Sequence, residues 1–106
     1  MRHETFDKML KERLQKIESV LGTKAREYAS AADRLHNFKR SAAITGESPS
    51  QVCIGFFVKH LTSILDMVEA NAENVVHESA VIDEKVGDAI NYLILLEAIL
   101  KEGGGI

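Results

Sequence analysis

Apolar residues recur every three or four positions through nearly all of this chain, and Lys, Glu and Asp fill the positions between them. That period of about 3.6 predicts amphipathic helices, and no stretch shows the strict alternation of a half-buried strand. Phe6, Met9, Leu10, Leu14, Ile17, Val20 and Leu21 form one stripe, which predicts a helix over 4–21. Gly22 is the expected stop and Thr23 the expected cap of the next helix. That second helix is expected over 24–45. It is richer in alanine than in large apolar residues, with Tyr28, Leu35, Phe38 and Ile44 as its bulk, and Gly46 as its end.

Ser48-Pro49-Ser50-Gln51 reads as a helix start. Ser48 is the N-cap, Pro49 takes the first helical position, and Gln51 completes a capping box. The third helix, 49–70, is the most apolar of the first three, through Val52, Phe56, Phe57, Leu61, Ile64, Leu65 and Val68. Residues 71–80 are expected to form a loop or a short extra turn. A fourth helix is expected over 80–102, with Gly103-Gly104-Gly105 as a frayed tail. The fold class is therefore all-α: a four-helix bundle in one domain, 1–102, with a tail at 103–106.

The length of 106 residues suits one domain, and the 45% apolar content supports one modest core. The formal net charge of -3 is interspersed along the chain, so neither nucleic acid nor an anionic membrane surface is an expected partner. The charged N-terminus MRHETFDKMLKE is not a secretory signal, and no window is expected to reach the ~18 apolar residues of a membrane span. The expected location is the cytoplasm, or the host cytoplasm if a phage encodes the chain. Cys53, the only cysteine, reads as a small buried hydrophobe between Val52 and Ile54. The four histidines, His3, His36, His60 and His77, are scattered without zinc spacing, and His60 reads as a core-edge residue.

The candidate chemistry lies on polar stripes of the helices. At about 100° per residue, Glu84, Asp88 and Asn91 share one narrow stripe, opposite Val86, Leu93, Leu96 and Leu100. Two acids one turn apart repel by a few tenths of a kcal/mol when exposed. Beside an apolar interface they cost more, unless a cation or hydrogen bond compensates. Mg²⁺ is one such cation, since it takes one or two carboxylates together with substrate phosphates. The plain alternative is a solvated half-face shared with Asp83 and Glu97. In the third helix Lys59, Ser63 and Asp66 repeat the spacing, with Glu69 beside them. They form either a solvated face or further ligands, with Lys59 at a phosphate. In the second helix Asp33, Asn37 and Arg40 share a stripe flanked by Arg26 and Ser30, and ordinary helix surface explains it as well.

The segment DEKVGDAINYLILLEAIL resembles the last core helix of the all-α nucleotide pyrophosphohydrolases, the MazG-like and dimeric dUTPase-like enzymes. KAREYASAADRLHNFKR and FFVKHLTSILDMVE look like small phage proteins of this kind, so the resemblance spans roughly residues 23–100. It implies an oligomeric four-helix bundle that cleaves a nucleoside triphosphate between its α and β phosphates with Mg²⁺. Glu84 and Asp88 would then hold metal and carry catalysis, with Asp66 and Glu69 as the earlier acidic pair. Asn91, followed by Tyr92, would touch sugar or base, Lys59 a phosphate, and Asn37 and Arg40 further parts of the substrate. The spacing Glu84-x-x-x-Asp88 departs from the family's Glu-x-x-Asp, and Asp66-x-x-Glu69 stands in place of Glu-x-x-Glu. Three readings are open: a Mg²⁺-dependent pyrophosphohydrolase; a protein that sequesters a nucleotide intact, with Lys59, Arg34, Lys39 and Arg40 toward phosphates; and a helical assembly module. A homo-oligomer is expected under all three.

Overall fold

The computed structural model describes residues 1–28 and 33–103, with only the backbone at 24, 27 and 28. The chain is all-α: among the described residues there are helices and turns and no strand. Its contacts divide it into two compact units, Met1–Arg34 and Leu35–Ile106.

The first unit starts with α1 (His3–Glu18), which carries Glu4 in its first turn and Lys16 in its last, both favourable to the helix dipole. The helix does not stop at Gly22. It passes into a π-helical stretch, Ser19–Lys24, and then into α2 (Ala25–Tyr28). A glycine ends a helix by taking the left-handed conformation, as Gly46 and Gly103 do here and Gly22 does not. Thr23, the expected cap, lies inside the π-helical stretch. The wider π geometry leaves backbone carbonyls with altered partners, and Arg34 Nε donates to the carbonyl of Leu21 at 3.3 Å. No residue of α1 is buried, so the stripe of Phe6, Met9, Leu10 and Leu14 stands exposed.

The continuous helix expected over 24–45 is interrupted. Asp33 has no regular structure, Arg34 and Leu35 form a turn, and α3 begins at His36 and runs to Thr45. Positions 29–32 of the expected helix, Ser30 among them, lie outside the described residues. Leu35 sits at the N-cap of α3 with its side chain buried in the core, and that anchorage sets where α3 starts. Gly46, at φ 76°, ends α3 and returns its N–H to the Ala42 carbonyl at 2.9 Å.

The cap read from Ser48-Pro49-Ser50-Gln51 is formed as expected. The Gln51 N–H donates to Ser48 Oγ at 3.2 Å, and the Ser48 N–H donates to Gln51 Oε1 at 2.8 Å. Replacing Ser48 by alanine is expected to cost about 1 kcal/mol, a shift in unfolding midpoint that denaturant titration resolves. An unchanged midpoint would show that Pro49 alone starts this helix.

That helix, α4 (Pro49–Ala72), is followed by a turn through Asn74 at φ 66°, whose successor donates from Val75 N to the Ala70 carbonyl at 3.0 Å. Across the turn the His77 ring lies 3.2 Å from the Met67 carbonyl. The last helix, α5, spans Ser79–Glu102 and ends at Gly103. The expected tail beyond it, 104–106, lies outside the described residues. The expectation that no window approaches a membrane span fails at α4. Helix α4 is long and apolar enough, by length and composition, to cross a membrane, because Lys59, Asp66 and Glu69 are its only charged residues.

The core of the second unit is small: Leu35, Phe38 and Ala42 from α3 and its N-cap, Val52 and Cys53 from α4, and Ile99 from α5. Tyr92, Leu95 and Leu96 pack against it. The core therefore sits where α3 covers the start of α4 and the end of α5. Cys53 is fully buried, as its apolar neighbours predict, and its thiol faces the Tyr92 carbonyl at 3.5 Å.

Candidate functional site

Helices α4 and α5 lie antiparallel, so residues far apart in sequence share a level. Phe56 and His60, one turn apart on α4, both face Tyr92 of α5. The Tyr92 ring stacks with Phe56 at 5.9 Å and with His60 at 5.0 Å. Phe38 of α3 meets Phe56 edge-on at 6.4 Å, and Lys59 Nζ stands 5.7 Å from the centre of the Phe56 ring. This is an aromatic spine joining three helices, with a cation on its outer side.

At one end of the spine His60 Nδ1 lies 3.8 Å from Asp88 Oδ2, and both side chains are part-exposed. Their approach is electrostatic rather than a hydrogen bond. One turn on, the Asn91 Oδ1 is buried and without a hydrogen-bond partner. An amide oxygen left in that state costs about 1–3 kcal/mol, which a ligand donor would recover. The stripe of Glu84, Asp88 and Asn91 is thus not one solvated face. It runs from exposed at Glu84, through half-covered at Asp88, to buried at the Asn91 oxygen.

The other expected site residues lie elsewhere. Asp66 and Glu69 are exposed on α4, and Asn37 and Arg40 are exposed on α3, on the side away from Phe38 and Ala42. Lys39 pairs with Glu102 and so ties α3 to the end of α5. Arg34 belongs to the first unit. No group of three or more His, Cys, Asp or Glu among the described residues is placed to hold a metal ion. Glu84 and Asp88 stand one turn apart on α5, Glu84 exposed and Asp88 half-covered beside His60, so Mg²⁺ held there would take its remaining oxygens from substrate and water. His60 is the residue that sequence reasoning missed as a member of the site. Its signal was present: it shares a face of α4 with Cys53 and Phe56.

Tyr92 is pushed above its ordinary value of 10.0, first by burial and then by the negative charges of Asp88 and Cys53. Burial likewise raises the Cys53 thiol above 9.0. In both cases the folded chain keeps a proton that the unfolded chain releases at a lower pH. The stabilisation is complete below the unfolded values and falls as pH rises through 9–10 and beyond. The thermal midpoint is therefore expected to drop between about pH 8 and pH 11, and to drop less steeply in Tyr92→Phe. Equal slopes for the two proteins would show that Tyr92 does not contribute.

Comparison of the chain with protein-family models, with curated proteins and with solved structures finds no match.

Proposed function

We propose that this chain handles a nucleotide at the α4/α5 seam, and that it binds one without turnover. The observation that carries this reading is the position of Asp88. It faces His60 across the seam, beside an Asn91 amide oxygen that is buried and unpartnered. A carboxylate accepts from ribose hydroxyls or base amino groups, an imidazole donates to a phosphate, and an amide oxygen accepts from a base. The likeness of 83–100 to the metal-binding helix of nucleotide pyrophosphohydrolases supports the same class of ligand. Hydrolysis with Mg²⁺ needs several oxygens on the ion and an oriented water. The spacing Glu84-x-x-x-Asp88, in place of Glu-x-x-Asp, alters the acidic pair that would hold such an ion, which weighs binding above hydrolysis.

The test is incubation with Mg²⁺ and a panel of nucleoside triphosphates and cyclic and modified nucleotides, then denaturation and chromatography of every nucleotide. Asp88→Ala runs in parallel. The expected outcome is a nucleotide that leaves free solution and returns intact on denaturation, with binding about tenfold to a hundredfold weaker in Asp88→Ala. Monophosphate and pyrophosphate formed only by the unaltered chain would establish the pyrophosphohydrolase instead. No change in any nucleotide would sink the nucleotide reading in both forms.

A further inference from the structure

We draw no further inference here: the strongest candidate, the exposed apolar face of α4 formed by Ile54, Val58, Leu61, Leu65 and Val68, carries none, because nothing in the structure shows what covers it.

Discussion

Ile99→Ala is expected to lower the free energy of unfolding by about 2–5 kcal/mol, enough to leave much of the chain unfolded at physiological temperature. Ile99 is 2% exposed and, with Cys53, is among the largest side chains with no access to solvent. It is also the residue through which α5 joins the core cluster of Leu35, Phe38, Ala42, Val52 and Cys53. Truncating it removes apolar contact and leaves a cavity that a small core, bounded by helix backbones, cannot close. Leu100 is the internal control. It is the next residue, on the same helix, but 59% exposed, and Leu100→Ala should cost less than about 0.5 kcal/mol in a single chain. Urea unfolding followed by circular dichroism measures both. Equal costs at the two positions would mean that the core is not where α3, α4 and α5 meet.

Phe38→Ala should cost about 3–5 kcal/mol, and its effect should be uneven along the chain. Helix α3 spans only His36–Thr45, shorter than the ~12–15 residues at which an isolated helix becomes marginal in water. Its attachment rests on Leu35, Phe38 and Ala42 in the core, on the edge of Phe38 against Phe56, and on the exposed pair of Lys39 with Glu102. The exposed ion pair contributes little, so removal of the Phe38 ring leaves two core anchors, Leu35 and Ala42. Hydrogen exchange is expected to show the amides of α3 opening before those of α4 and α5. Uniform loss of protection across all three helices would instead show that α4 and α5 do not persist without α3.

The all-α class and the ends of the later helices were legible in the sequence because the interactions that set them are local. The capping box at Ser48 and Gln51 and the left-handed Gly46 and Gly103 involve residues within a few positions of one another. The same local reasoning misplaced the first break. Gly22 stays helical, since a glycine permits a stop but does not impose one. Among the described residues the expected second helix is broken at Asp33, Arg34 and Leu35, and α3 starts where the Leu35 side chain is buried in the core.

For the candidate site, the stripe of Glu84, Asp88 and Asn91 came from helical geometry alone, whereas its surroundings did not. That Asp88 faces His60, that the Asn91 oxygen is buried, and that Asp66 and Glu69 stay exposed are consequences of how α5 lies against α4. By itself the sequence determined which segments coil into helices, how the C-terminal ones are capped, and which residues lie together on each face. Only the tertiary structure decided which face of α4 enters the core and which stays exposed. Local hydrogen bonds and side-chain period are written within a few residues, but the choice between two apolar faces of one helix depends on helices distant in the chain.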